Sequence, residues 1–508
     1  MQTTPEPMTA SGPATSAPTE KKPPYGRLAV LMIGAFISFL NNTLLNVALP
    51  SIMADLAVGP SVVQWLTTGF MLINGILIPA TAFLIENYSV RRLFLVSMSL
   101  FAAGTVLAGN APLFPQSAAF AVLLLGRMIQ ASGSAIMMPL LMNVMLVSFP
   151  VERRGAAMGV FGLVLMFAPA VGPTLSGWIL QYHHWRMLFD MLVPVAAAIL
   201  AAGVFLLRGD KTTHSGERLD KGSLLLSSAG FGGLLYGFSM AGSQGWSSLH
   251  VQAALPVGAV MLVLFILRQS RQARPMLDFR VFRHPMFALA SAITMILNMA
   301  MFSGILLLPI FMQTVIGLSP LESGLVLLPG AILNAALSPV NGRLFDRYGA
   351  RVLAVAGLVI AGTTTFLFSR LTLETGRIWL MAVHALRMAG FSMVMMPVST
   401  NGLNELPPAL YPHGTAMNNT LNQVSGAIGT AVLTSVMAIR QANYARELAQ
   451  DAAAGLGGED IALRAMLAGI NETFFISGLL LAAGLVLAFF IKRAKPAGRG
   501  GVRQTVKS

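Results

Sequence analysis

Ser38–Pro50 reads SFLNNTLLNVALP and sits within an apolar run, residues 28–52, that is long enough to cross a bilayer. Asn41, Asn42, Thr43 and Asn46 interrupt it with polar side chains. Hydrocarbon offers no hydrogen-bond partner, so amides at such depth turn toward protein or toward a water-filled cavity. Two readings follow: interhelical hydrogen bonds that hold a bundle together, or the wall of a path for a solute.

Composition sets the class. The chain has 508 residues, 55% hydrophobic and 10% charged, with mean hydropathy +0.72, whereas soluble domains carry about 25% charged residues. It is a polytopic, all-α membrane protein by that measure. With no cysteine, disulfides, thiolate metal sites and cysteine nucleophiles are excluded. Residues 1–26 are polar and rich in Pro, Ser and Thr, and read as a disordered tail rather than a signal peptide. A formal net charge of +14 would suit nucleic acid. The basic residues, however, lie in short loops and tails, and no basic, aromatic-studded domain exists to bind it.

A helix needs about 20 apolar residues to cross a core of about 30 Å. Fourteen spans are predicted, at residues 28–50, 62–85, 92–110, 118–147, 155–181, 187–207, 222–241, 251–268, 285–312, 322–345, 352–370, 377–401, 414–437 and 470–491. An even number puts both termini on one side. Lys21, Lys22 and Arg27 precede the first span; Arg91 and Arg92 follow the second, Arg153 and Arg154 the fourth, and Arg208, Lys211, Arg218 and Lys221 the sixth. Basic residues also follow spans eight, ten and fourteen. Lys and Arg collect on the cytoplasmic side, which predicts a multi-pass membrane protein with both termini inside. Residues 402–413, inward without Lys or Arg, and outward Arg186, Arg370 and Arg377 are exceptions. Residues 438–469 are predicted as a long outward loop of mixed charge.

Span two ends in AFLIENYSVRRL, residues 82–93, and span ten in GRLFDRYGARVL, residues 342–353. Each has a carboxylate, a tyrosine two residues on and arginines at the inward end, so the two align as copies of one element. Six spans precede the middle pair and six follow it. The expected organisation is a disordered cytoplasmic tail at 1–26, a six-helix bundle at 27–208, a two-helix insertion with linkers at 209–284, a second six-helix bundle at 285–491 and a basic cytoplasmic tail at 492–508. Paired bundles with a site between them are a recurrent transporter design.

At these residues the chain resembles the major facilitator superfamily, in the fourteen-helix drug:proton antiporter branch of EmrB- and QacA-like pumps. Gly342, Asp346, Arg347, Tyr348, Gly349 and Arg351 match the superfamily's loop signature; the first copy has Ala82, Glu86 and Ser89 where the second has Gly342, Asp346 and Gly349. LLLGRMIQASGSA (123–135), with Arg127, Gln130 and Gly133, resembles the span-four motif, and APAVGPTLSGWI (168–179) the span-five antiporter motif. HHWRMLFDMLVP (183–194), ARPMLDFRVFRHPMFALA (273–290), IGLSPLESGLVLLPGA (316–331) and LPPALYPHGTAMNNTLNQVSGAIGTA (406–431) are typical of the branch, the last of its LmrB-like members. The resemblance covers about residues 25–495 and implies the major facilitator fold: two six-helix bundles plus two central helices.

Physical roles follow for the matched residues. Asp346 can pair with an arginine and with the positive N-terminus of a neighbouring helix, forming a latch; the resemblance implies that it stabilises an outward-facing state. Glu86 with Arg91 and Arg92 is expected to supply a looser latch, the alternative being that these arginines only fix topology. Pro169, Gly172, Pro173 and Gly177 weaken span five and leave a small-residue face, so a bent helix that seals the cavity competes with ordinary tight packing. Arg127 lies about three turns inside span four, where a central arginine costs about 2.5–3.5 kcal/mol to insert. The resemblance makes spans one and four neighbours, which implies the amides of Asn41 and Asn42 as its partners, bordering a substrate or proton path with Asn46 and Gln130; the alternative is an arginine that snorkels to the interface.

The branch's acidic position in span one falls on Asn41, which holds no proton. Asp190 and Glu322 are therefore the candidate proton carriers, with a wet interfacial role as the alternative. His384 and Arg387 share one face of span twelve, where the histidine titrates or simply packs. In span thirteen Asn419, Asn422 and Gln423 form a polar stripe expected to line the inward half of the cavity. The chain contains 31 Met and 29 Phe, which suits a pliable pocket.

The function these readings imply is proton-coupled efflux of amphipathic or cationic compounds, a multidrug antiporter conferring antibiotic resistance and working by alternating access. A proton-coupled carrier of one metabolite on the same fold is the alternative. No phosphate-binding loop, metal-ligand spacing or activated serine is present, so an enzyme is not expected and the proton gradient replaces any cofactor. The expected partners are small amphipathic molecules, protons and the lipid bilayer. The resemblance adds, as an open possibility, the periplasmic adaptor and outer-membrane channel used by EmrB-like members.

Overall fold

The computed structural model describes residues 25–63, 65–207, 220–450 and 458–493; residues 1–24 and 494–508 of the two expected tails and the linker residues Arg208, Lys211 and Arg218 lie outside them, as do the side chains of Asn46, Pro169 and Pro173. The described residues are helical throughout. In the first half lie α1 (Tyr25–Leu56), α2 (Trp65–Asn87), α3 (Val90–Gly109), α4 (Gln116–Ser148), α5 (Arg154–Tyr182) and α6 (Met187–Leu206). Then come α7 (Lys221–Gln244) and α8 (Leu249–Arg271). The second half holds α9 (Pro285–Ile310), α10 (Pro320–Tyr348), α11 (Ala350–Phe368), α12 (Arg377–Asn404), α13 (Tyr411–Gln450) and α14 (Gly458–Ala488). Among the described residues thirteen helices have the length and apolarity to cross a membrane, and the fifth predicted span is the 29-residue helix α5.

The helix ends follow from local chemistry. Ser89 accepts from the Arg92 N–H at 3.2 Å and starts α3. Ser319 and Glu322 cap α10 reciprocally. At the end of α10, Gly349 takes φ +82° while its N–H reaches the Phe345 carbonyl at 2.8 Å. Only glycine adopts that backbone without strain, which accounts for the motif's second glycine.

One boundary is corrected. The predicted outward loop 438–469 is largely helix, since α13 continues to Gln450 and α14 begins at Gly458. The extension is rich in Ala, Arg, Gln, Glu and Leu, all strong helix formers, and Arg440 pairs with Glu447 at 3.4 Å along it. Hydropathy marked where the apolar stretch ends, and the helix continues past that point.

Small residues let the helices approach. A Cβ on Gly126 of α4 would lie 2.7 Å from the Ala108 nitrogen of α3, and one on Gly390 of α12 would lie 2.7 Å from the Gly357 carbonyl of α11. The two halves thus reuse one close crossing between their third and fourth helices. The inserted α7 packs on α2 through Thr68–Ser239 at 3.2 Å, and the turn after it reaches α13 through Trp246–Ser435 at 2.5 Å. Helix α8 is largely exposed along its apolar length and turns to lipid. At their base Asp220 takes a two-pronged contact from Arg268, at 2.9 and 3.1 Å. That guanidinium, with Ser223 and Gln272, holds the Asp220 carboxyl below the usual carboxylate range.

The apolar core of the first half does not stop at its boundary. At the arginine-rich end, called here the basic end, it continues into Phe287, Leu403, Leu406, Tyr411, Ala416 and Met417 of the second half. Two further cores fill the second half itself.

Candidate functional site

Each half buries one guanidinium near the middle of its fourth helix. In the first half Arg127 is fully buried. Its Nη1 donates to Gln130 Oε1 at 3.0 Å and its Nη2 to Asn42 Oδ1 at 3.2 Å. Asn41 Nδ2 donates to the same Gln130 oxygen at 3.1 Å, and Gln130 Nε2 donates to Thr105 at 2.7 Å. The ring of Phe70 lies 4.3 Å from the guanidinium carbon. The structure therefore brings Asn41, Asn42, Arg127 and Gln130 into one network linking α1, α3 and α4. Asn46 is on α1, with its side chain outside the described residues.

In the second half Arg387 of α12 is fully buried. It donates to Thr365 at 3.0 Å, to the Ala300 carbonyl at 2.8 Å and to Ser303 at 3.0 Å. The two clusters are built alike: an arginine followed by methionine on the fourth helix, a threonine on the third, and acceptors on the first. That second repeat was missed in the sequence reading. The matching Arg-Met pairs 127–128 and 387–388, with Thr105 and Thr365 in the preceding helices, are the signal that carries it.

His384 is buried beside Gly330 of α10, one turn from Arg387, and its Nδ1 has no hydrogen-bond partner. Asn422 of α13 accepts from Asn298 of α9 at 2.9 Å. Asn419 donates to the Thr415 carbonyl at 2.8 Å and lies against Met142 of α4; Gln423 is half-buried. Between the halves a small hollow is lined by Gly162, Met301, Asn334, Ser338, Phe391 and Met396.

At the basic end the halves lock together. Asp346 of α10 accepts from the backbone N–H groups of Gly155 and Ala156, both at 2.9 Å. These are the first free donors of α5, at the positive end of its dipole. Gly342 makes that approach possible, since a Cβ there would lie 2.9 Å from the Gly155 carbonyl carbon and 3.1 Å from the Gly159 Cα. Arg154 is buried and crosses the same boundary, donating to Asn404 at 3.0 Å and Tyr411 at 2.9 Å. Read from the sequence as a topology signal alone, it is a structural bridge. Arg493 donates to the Asp346 backbone carbonyl at 2.8 Å, Arg347 lies over the Tyr348 ring at 5.2 Å, and Arg351 is exposed.

Three placements differ from expectation. Glu86 does not pair with Arg91 and Arg92: it meets His413 Nε2 of α13 at 3.0 Å, while Arg91 donates to the Val204 carbonyl and Arg92 lies over Tyr88. The looser latch thus joins the two halves through an imidazole, whose Nδ1 accepts from the Asp278 N–H at 3.2 Å.

Asp190 and Glu322 stand at the end opposite the basic one. Each is partly exposed and paired, with Arg186 at 3.0 Å and Arg377 at 2.9 Å. Neither faces the interior, because an arginine at the wet boundary holds each one there.

Span five runs as one helix through Pro169, Gly172, Pro173 and Gly177. Helix α5 is continuous, and Gly172 packs on Thr43 of α1 within the first half. A Cβ on Gly177 would meet nothing within 4 Å.

Replacing Gly342 by alanine is expected to wedge α5 from α10, at a cost of about 1–3 kcal/mol for the forced repacking. The check is the thermal unfolding of the purified variant together with labelling of the seal from the basic side.

A model of the Major Facilitator Superfamily matches residues 31–430. The chain is 45% identical to the uncharacterized MFS-type transporter YcnB of Bacillus subtilis, over 92% of this chain and 96% of that protein. It is 42% identical to the lincomycin resistance protein LmrB of the same organism, over 92% of this chain and 95% of that one. Among solved structures the human organic anion transporter MFSD10 superposes with TM-score 0.63 at 15% identity, covering 92% of this chain and all of that one, a likeness of fold.

Proposed function

Because the chain belongs to the major facilitator superfamily, we propose that it exports amphipathic compounds across the bacterial cytoplasmic membrane in exchange for protons, by alternating access. The observation that carries this reading is the seal. Asp346 on the α5 N-terminus, Arg154 on Asn404 and Tyr411, and Glu86 on His413 each join one half to the other at the basic end. By the charge rule that end is cytoplasmic, so this conformation is closed inward. Contacts of this kind, made between halves and not within them, can break as a set when the halves rock. The similarity to a lincomycin resistance protein makes lincomycin the first substrate to try.

The proton is assigned to His384 in place of Asp190 and Glu322. It is buried in the interior, unpartnered at Nδ1 and next to Arg387; the neighbouring cation and the loss of water hold the imidazole neutral in this closed state, so it takes up its proton when the halves part and water reaches it. His384→Gln is expected to flatten the pH dependence of efflux and to abolish its response to an imposed gradient, while substrate binding is kept. Efflux in proteoliposomes between pH 6 and 8 measures this.

The test of the whole reading is lincomycin accumulation in everted vesicles with and without an uncoupler. Uphill uptake that collapses on uncoupling is expected; uptake that persists would sink proton coupling. Efflux of substrate against inward proton flow also separates this reading from a solute:proton symporter, which would carry both in one direction.

A further inference from the structure

The interior of this protein is one-sided in charge. Arg127 and Arg387 are both fully buried, and their hydrogen-bond partners are all neutral: amides, hydroxyls and a carbonyl. His384 lies beside the second. Among the described residues the carboxylates stand at the two ends. Glu86, Glu152, Asp220, Asp278, Asp346 and Glu405 are at the basic end, where Asp346 and Glu405 are spent on the N-termini of α5 and α9. Asp55, Asp190, Glu322 and Glu374 are at the opposite end, with Glu447, Asp460 and Glu472 on the outer parts of α13 and α14. Along α10 alone, Glu322 and Asp346 are 24 residues apart. At about 1.5 Å per residue they bracket a hydrocarbon core of about 30 Å, with no acid between them.

Two guanidinium charges without a counter-ion create a positive potential that low-dielectric surroundings screen poorly. Each guanidinium also keeps one buried N–H with no hydrogen-bond partner among the described residues, Arg127 Nε and Arg387 Nη1. Unmet donors on a buried cation are satisfied by an acceptor, best by an anionic one. A permanent cation at the same depth meets like charge and finds no carboxylate.

We infer that the space between the halves, opening from the hollow lined by Asn334, Phe391 and Met396, where Arg387 stacks on the Phe391 ring, takes neutral or anionic amphiphiles and rejects permanently cationic ones. This rests on the efflux reading above, names the substrate class within it, and departs from the cationic compounds that the resemblance implies. A basic drug enters, on this account, in its neutral form, and the proton it leaves behind remains outside the site.

The test uses two ions of one shape and opposite charge. The purified full chain in lipid nanodiscs is titrated with tetraphenylborate and with tetraphenylphosphonium, and the binding to protein-free nanodiscs is subtracted. Tetraphenylborate is expected to bind at least tenfold more tightly. Equal binding, a preference for tetraphenylphosphonium, or binding of neither overturns the inference.

Asn334→Asp and Ser392→Asp, each placing one carboxylate at the wall of the hollow between the halves, are expected to raise tetraphenylphosphonium affinity at least tenfold. Two variants that fold, by size-exclusion profile, and leave it unchanged also overturn the inference. Lincomycin efflux from vesicles is measured separately. A chain that shows the anion preference but exports nothing refutes the efflux reading alone, and one that exports while binding both ions equally refutes only the charge selection.

Discussion

Asp346→Ala is expected to leave the protein folded and open its basic end, with loss of net efflux. The carboxylate accepts two backbone hydrogen bonds from the other half, from Gly155 and Ala156 at 2.9 Å each. Hydrogen bonds to a charged group contribute about 1.5–3 kcal/mol apiece. Losing both shifts the closed-to-open balance by about 3 kcal/mol or more, on the order of 100-fold in population. Asp346→Asn keeps an acceptor without the charge and is expected to fall between. The measurement is cytoplasmic labelling of a single cysteine at Met396, a residue that lines the hollow between the halves. Since the natural chain has no cysteine, labelling has no background to remove. Faster labelling in Asp346→Ala than in the parent is the expected result; equal rates would show that the carboxylate does not hold the seal.

Arg154→Ala is expected to be the second large effect, on stability as well as on the seal. Its guanidinium donates to the Phe149 carbonyl at 3.1 Å within its own half, and to Asn404 and Tyr411 in the other half, with the Tyr411 ring 4.9 Å away. Truncation strands two buried acceptors, on Asn404 and Tyr411, and the half-buried Phe149 carbonyl, each buried one costing about 1–3 kcal/mol unless water reaches it. A net loss of about 3 kcal/mol is expected after partial rehydration, read as a lower midpoint of thermal unfolding in nanodiscs. Arg154→Lys keeps the charge and loses the planar fork, so it recovers part of the effect. A lysine variant indistinguishable from the parent would mean that charge alone, and not the shared geometry, joins the halves.

The fold was legible because bilayer physics leaves few choices. Long apolar runs had to be helices, and the doubled carboxylate-tyrosine-arginine element announced two related halves. The same reasoning placed Asn41, Asn42, Arg127 and Gln130 near one another, since a buried guanidinium demands acceptors.

The reading failed where the partner was distant in sequence and polar only in context. His413 lies in a stretch without Lys or Arg, so nothing local marked it as the partner of Glu86. Arg154 looked like one more inside-positive charge, although its burial against Asn404 and Tyr411 makes it a bridge. Asp190 and Glu322 stand at the outer ends of spans six and ten, and hydropathy does not reveal the neighbouring arginine that keeps each carboxylate at the boundary. For the same reason the end of α13 was misjudged: alanine-rich helix continues beyond the apolar stretch, where hydropathy is silent.

The central claim is that the two halves close against each other at the basic end and part there during transport. Spin labels at cysteines replacing the exposed Arg153 and Arg343, either side of the α5–α10 contact, measure it directly by pulsed electron-electron resonance in nanodiscs. A short distance in the resting protein, joined by a longer population in Asp346→Ala and during substrate and proton turnover, is the predicted result. One unchanging distance under all three conditions would contradict the account.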